Sequence, residues 1–336
     1  MATLQIFNQE FINKHYTKRN GELKWGDVIK TITTNDWYNE LISSDVNYVI
    51  LGIAEDIGIR ANFGRAGAKE TFLDSLSSIL NIQHNRFIDT EKVLLLGQIN
   101  FDEEYLNQNN SIDDLRKLCI KVDEIVFEIA LKIFQANKKL IVIGGGHNNS
   151  YPLLKALSTY HKASINCLNV DAHTDFRALE GRHSGNGFSY AMNESYLNRY
   201  GILGVHENYN SESVLKNIDK NNNVQYHTFE DIIIRNQLTV EESLNSLVNF
   251  LIERPCGLEI DLDCVQYLPS SAMSSTGFST NQMRAIIHQA ATLLNCNYIH
   301  LTEAASGLVS NDNERYMLGK TISYLITDYI KATQVF

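Results

Sequence analysis

The sequence predicts an α/β protein built on a mostly parallel sheet of about eight strands, with helices on both faces. Three observations predict it. Short apolar, β-branched runs recur along the chain. Most are separated by stretches in which apolar residues keep helical spacing. The runs are apolar at consecutive rather than alternate positions, as strands covered on both faces require.

The elements follow in order. Residues 1 to 45 show weak periodicity and carry Trp25 and Trp37; they read as an N-terminal extension packing on a single catalytic domain, 46–336. Strand-like runs lie near 47–53, 92–97, 139–144, 164–170, 200–204, 223–227, 256–262 and 297–302. Between Ser111 and Lys139, Leu115, Leu118, Val122, Ile125, Val126 and Ile129 recur at three- and four-residue steps, the spacing of one helix face. Further helical patterns lie near 68–81, 229–253, 279–294 and 313–332. The Asn-rich stretch 220–223 is a loop. With three prolines and no Gly/Pro-rich linker, nothing in the sequence suggests a hinge.

The composition narrows the class. A chain of 336 residues, 44% apolar and 20% charged, is ordinary for a globular protein with a substantial core. A formal net charge of -10 argues against a nucleic-acid or membrane partner. No apolar run approaches membrane-spanning length. The five cysteines form neither a CxxC pair nor a ladder of spacings, and most lie in apolar runs, so reduced, buried thiols are expected. The N-terminus lacks a basic region followed by an apolar stretch; the expected location is the cytoplasm.

Three segments carry chemistry. Asp171-Ala-His-Thr-Asp175 follows the apolar run Ile165–Val170. Strand spacing would turn Asp171, His173 and Asp175 to one side, where the strand ends. Buried carboxylates that converge repel one another and are costly to desolvate, and a divalent cation removes both problems. The second segment is Gly144-Gly-Gly-His147, after Ile141–Ile143. Its glycines permit a sharp turn, but it is neither GxGxxG nor a phosphate loop with its Lys. Taken alone, His147 reads as an ordinary histidine at a helix start. The third is Glu259-Ile-Asp-Leu-Asp263, with Asp261 and Asp263 sharing a face at a strand's end. Together these give two histidines and four aspartates near the C-terminal ends of parallel strands, the edge at which open α/β sheets bind ligands. Six oxygen and nitrogen donors without a thiolate suit two hard or borderline divalent ions, Mn²⁺ first. Paired cations of this kind activate water for hydrolysis at neutral pH.

Four stretches, Gly64-Arg-Ala-Gly-Ala68, Gly145-Gly-His147, Asp171-Ala-His-Thr-Asp175 and Ile260-Asp-Leu-Asp263, stand in the order found in the ureohydrolase superfamily: arginases, agmatinases and formimidoylglutamases. The chain resembles that superfamily from residue 50 to about 305. The resemblance implies a three-layer α/β/α sandwich and two Mn²⁺ ions per chain. It implies His147, Asp171, His173, Asp175, Asp261 and Asp263 as metal ligands. Among these, His147, Asp171, Asp175 and Asp263 resemble ligands of one or both ions, and His173 and Asp261 ligands of the second.

Within the superfamily, the Gly-Gly-Gly-His turn, Asn62-Phe-Gly-Arg-Ala-Gly-Ala-Lys69 and Arg177 are most similar to formimidoylglutamases. A guanidinium at Arg177 can grip a carboxylate at two points. Ser184 and Asn186 resemble residues that hold the amino-acid end of the substrate. His183 resembles a proton shuttle of some members, and reads equally as an exposed loop histidine. Glu303 resembles the acid that pairs with the amidine group. Two departures stand out: Glu259 replaces the hydroxyl residue that opens the family's (S/T)xDxD strand, and Asn148-Asn-Ser follows His147 where formimidoylglutamases carry Glu.

The implied activity is hydrolysis of C–N bonds in a small amino-acid-derived amidine, N-formimino-L-glutamate giving L-glutamate and formamide. Asp175, Glu303 and His183 would be catalytic; Arg177, Ser184 and Asn186 would hold the substrate. The alternatives are a guanidino substrate that releases urea, and a non-catalytic relative. Members of the superfamily are often homo-oligomers.

Overall fold

The computed structural model describes residues 2–102, 105, 107 and 109–334. Among the described residues, nine strands form one sheet: β1 (Ala2–Ile6), β2 (Tyr48–Ala54), β3 (Val93–Phe101), β4 (Lys139–Ile143), β5 (Ile165–Val170), β6 (Leu197–Val205), β7 (Val224–Thr228), β8 (Cys256–Asp261) and β9 (Cys296–Thr302). Their order is β1-β3-β2-β4-β9-β8-β5-β6-β7, and every pairing from β3 to β7 is parallel. The eight expected strands are β2 to β9. The ninth, β1, comes from the N-terminal segment and pairs antiparallel with β3 at the sheet edge. Phe7, Ile12 and Trp25 of that segment are fully buried, so it completes the core as well as the sheet.

The inner strands β2 to β5, β8 and β9 bury both faces, as their apolar runs require, while the edge strands β1 and β7 do not. Leu140 and Val142 of β4 enter one hydrophobic cluster, and Ile141 and Ile143 the other. Helices Ile112–Gln135, Ser150–His161 and Gly187–Asn193 cover the first face; Thr71–Leu80, Val240–Leu251, Thr280–Leu293 and Asp312–Thr333 cover the second. The result is the three-layer α/β/α sandwich.

Helix boundaries follow local chemistry. The Ser111 hydroxyl accepts the Asp114 amide to start Ile112–Gln135, and Asn137 (φ 58°) turns the chain left-handed after it. The helical pattern at 229–253 is not one helix. A π-helical turn, Glu230–Ile234, ends before Asn236 (φ 52°), and Thr239 opens Val240–Leu251 with a capping box to Glu242. The Ser150–His161 helix had no counterpart among the expected elements; it starts inside the polar stretch that follows His147.

Topology fixes where a ligand can bind. Neighbouring β8 and β5 are wound in opposite directions: the chain leaves β8 for β9 on one side and β5 for β6 on the other, which makes a switch point between them. The register brings the four central strands to one level: Ile143 pairs with Leu301, Leu301 with Ile260, and Ile260 with Val170. The residues just beyond these positions share one rim. Among the described residues, no helix is long and apolar enough to cross a membrane.

Candidate active site and metal centre

That rim gathers all six expected ligands. His147 follows the glycine turn after β4, Asp171 begins the loop after β5, Asp261 ends β8, and Asp263 lies in the 3₁₀ turn Leu262–Cys264. The convergence of Asp171, His173 and Asp175 does not come from strand alternation. β5 stops at Val170, and the loop that follows carries the three side chains, with Asp175 at φ 44°. Asn210 pins this loop by accepting the Thr174 amide and donating to the Ala172 carbonyl; Tyr200 donates its hydroxyl to the Thr174 carbonyl.

The ligand atoms form two groups. His147 Nδ1 lies 3.3 Å from Asp171, 2.8 Å from Asp175 and 3.1 Å from Asp261. His173 Nδ1 lies 4.0 Å from Asp263 and 3.5 Å from Asp171. Donor atoms of His147, Asp171, Asp175 and Asp261 fall within 4.8 Å of one another, and so do those of His173, Asp261 and Asp263. Asp261 is common to both. Asp263 therefore groups with His173 rather than with His147, which differs from the partition implied by the resemblance; Asp261 serves both groups.

The electrostatics of this cluster call for cations. Asp171, Asp261 and Asp263 are almost fully buried, and among the described residues no Lys or Arg pairs with any of the four aspartates. Burial and the Asp171 charge push Asp261 far above the carboxylate range and also raise Asp175; burial raises Asp263. Burial would raise Asp171 too, but contacts with His147 and His173 hold it low. Four carboxylates gathered here with only two imidazoles beside them are unfavourable, and oxygen and imidazole donors without sulfur match Mn²⁺. The residues present fit a pair of such ions.

The glycine turn is braced from behind. Buried Glu55 accepts the Gly146 and Ile57 amides and the side-chain amide of Asn149. Gly145 has φ 73°, and a Cβ there would lie 2.5 Å from Asn149 Nδ2, so only glycine fits. On the opposite side of His147, Glu259 Oε2 lies 3.5 Å from Nε2. Burial raises the Glu259 carboxyl, but His300 and His147 outweigh it and hold it at about 2.

Above the cluster lies a cavity of about 640 Å³, lined in part by His173, Asp175, Arg177, Ser184, Asp261 and Glu303. Glu303 sits at φ 64°; its Oε1 accepts the His147 backbone amide at 2.7 Å, and its Oε2 accepts the Ser271 hydroxyl. Burial and the nearby Asp263 push its carboxyl up to about 8. Arg177 reaches the cavity, but its guanidinium already donates to Asn62 at 2.9 Å and to Glu180 at 2.7 Å. Ser184 is at the wall, where its hydroxyl accepts from the Asn62 amide.

His183 and Asn186 are placed differently. His183 is fully buried rather than an exposed loop residue; its Nδ1 accepts the Gly185 amide and its Nε2 faces Glu180 at 3.2 Å. Burial and the Arg177 charge lower it to about 4. Asn186 accepts from Arg182 and from the His183 amide and donates to two backbone carbonyls, so its polar atoms are spent on shaping the 178–186 loop. Neither lines the cavity. Sequence reasoning missed Ser271, which also reaches Asp263 at 3.3 Å, and the neighbouring Ala272 amide, which donates to Asp263 at 2.9 Å. The only sequence signal was a run of small polar residues after the third segment.

Comparison with known proteins places the chain. The model of the arginase family matches residues 47–326. The chain belongs to the arginase family. Among curated proteins, a formimidoylglutamase from Streptococcus gordonii is 27% identical over 250 residues, 72% of this chain and 70% of that protein. Among solved structures, a formimidoylglutamase from Bacillus subtilis superposes with a TM-score of 0.75 at 17% identity, covering 94% of this chain and 93% of that one. A Trypanosoma cruzi formiminoglutamase with Mn²⁺ gives 0.70 at 19% identity, covering 88% and 97%. These structural likenesses establish the arginase-like sandwich.

Proposed function

We propose that this chain is a dimanganese hydrolase of an amidine, and that its substrate is N-formimino-L-glutamate. One observation carries the reading: two carboxylate–imidazole groups share Asp261 beneath a cavity into which the buried acid Glu303 projects. Curated relatives named formimidoylglutamase support the substrate. When bound, the two ions would supply a water of lowered pKa and Lewis-acid stabilisation of the charge that develops on the substrate.

The remaining steps fall to side chains. Glu303, aimed by the His147 amide and Ser271, accepts two N–H groups of the amidinium as a charge-assisted pair. In the free protein burial raises this acid, and an arriving cation restores its ionised form. Asp175, at the cavity wall and beside His147, takes a proton from the water and delivers it to the departing amine nitrogen. Water adds across the C–N bond, giving L-glutamate and formamide. Arg177 and Ser184 hold a substrate carboxylate.

One feature favours a second reading. Glu180 already pairs with Arg177, so the cavity offers less positive charge to a substrate with two carboxylates than to one with a single carboxylate. A guanidino acid would fit that balance. A product assay with Mn²⁺ added separates the two: formamide and glutamate from formiminoglutamate are expected, and urea from arginine or a related compound instead would replace the substrate. Metal-loaded protein inert toward both classes would remove the enzymatic reading.

A further inference from the structure

Behind the candidate metal centre, buried polar groups that the proposed reaction does not use adjoin Asp261. On β8, Gly257, Glu259 and Asp261 share one face; on β9 their register partners are Tyr298, His300 and Thr302. Each pair is buried. Glu259 Oε1 accepts the Tyr298 hydroxyl at 2.7 Å, and Oε2 lies 2.7 Å from His300 Nδ1. His300 Nε2 reaches the Gly144 carbonyl at 3.2 Å, which ties this row to the turn that carries His147. Gly257 makes room for it: a Cβ there would lie 2.4 Å from the Tyr298 oxygen. A carboxylate buried this deeply persists only when several groups hold it.

His147 supplies the second observation. Its Nδ1 faces Asp171, Asp175 and Asp261, while its Nε2 is buried and makes no formed hydrogen bond among the described residues. The nearest acceptor to that nitrogen is Glu259 Oε2, at 3.5 Å. A neutral imidazole carries one N–H and one lone pair, and an acceptor beside one nitrogen decides which is which. We propose that Glu259 is the positioning residue for His147: clamped by Tyr298 and His300, it receives the Nε2–H and leaves the Nδ1 lone pair for the cation. The inference rests on the two-metal reading and deepens it. Glu259, Tyr298 and His300 form one connected unit.

Mn²⁺ titration of Glu259→Gln by calorimetry, beside wild type, tests this. Wild type is expected to take two ions per chain. Glu259→Gln is expected to keep the wild-type melting temperature in EDTA and to lose roughly 10- to 100-fold in affinity at the His147 group, as for other partners of metal-bound histidines, with the His173 group little changed. His300→Gln should give a smaller loss at the same group. A folded Glu259→Gln protein with both affinities unchanged overturns the proposal. Wild type that binds no Mn²⁺ overturns the metal reading beneath it, a separate outcome. If Glu259→Gln does not fold, the ¹⁵N spectrum of wild type loaded with diamagnetic Cd²⁺ decides. Protonated Nε2 and ligated Nδ1 on His147 support the assignment, and the reverse tautomer sinks it.

Discussion

Asp175 and Glu303 both hold left-handed backbone, at φ 44° and 64°, without being glycine. Such a conformation costs on the order of 1–3 kcal/mol and persists only where the surroundings over-determine it. At Asp175 the cause is the pinned loop after β5; at Glu303 it is the double hold of the His147 amide and Ser271. Glu303→Gln keeps an acceptor for the amide but loses the charge. It is expected to lower kcat/KM by roughly 100-fold or more while Mn²⁺ content stays at the wild-type value, checked by steady-state kinetics and metal analysis. His183 yields a second expectation. Its value of about 4 in the folded chain lies below the ordinary histidine value of about 6.5, so the unfolded chain binds more protons between these limits. The stability it contributes is therefore present above pH 6.5 and lost as pH falls toward 4. His183→Gln should flatten acid destabilisation in that window, read by thermal melting, and should leave the pH profile of kcat unchanged. A variant that melts normally but loses activity would return His183 to the shuttle role. Ser271 was out of reach of the sequence, because a serine in an aperiodic loop gains its role only when folding brings it against Glu303 and Asp263.

The inner strands were readable because they are buried on both faces and so carry near-continuous apolar runs; the edge strand β7, half-buried throughout, was readable from its β-branched and aromatic residues. β1 was not: Ala2–Ile6 alternates between half-buried and exposed positions, and its partner β3 lies 91 or more residues away. The alternation of Asp171, His173 and Asp175 pointed to residues that do converge, but through a different geometry. Spacing of two places side chains together in a strand, and here a loop held by Asn210 and Tyr200 does the same. Asn186 shows the reverse case. Its motif suggested substrate contact, yet its neighbour Arg182 draws it into a buried network. Arg182 pairs with Asp123 of the long helix at 2.9 Å, donates to the Asn148 carbonyl and lies against the rings of Tyr151 and Tyr190. This joins the 178–186 loop, the turn after His147 and the helix layer. Arg182→Met leaves Asp123 buried without its partner and is expected to cost about 3–5 kcal/mol, measured by urea unfolding. Adding Asp123→Leu should recover part of that loss.

Across the molecule, the acids at the sheet rim cost the metal-free chain stability. In the folded, metal-free chain Asp175, Asp261 and Asp263 are raised above their unfolded values, so the folded state binds more protons than the unfolded one above about pH 4. Their contribution therefore becomes less favourable as pH rises through the raised values. Bound cations would remove that penalty and add binding energy of their own. The gap in melting temperature between Mn²⁺-loaded and EDTA-treated protein should widen from pH 5 to pH 8; an equal gap at both would argue against an uncompensated acidic cage. That four aspartates and two histidines meet at all follows from the winding order, since β4, β9, β8 and β5 are neighbours in the sheet though far apart in the chain. The most direct test is anomalous X-ray scattering from crystals grown with Mn²⁺. Two peaks are predicted, one against His147, Asp171, Asp175 and Asp261, and one against His173, Asp261 and Asp263. A loaded, active crystal with no peak between these residues would contradict it.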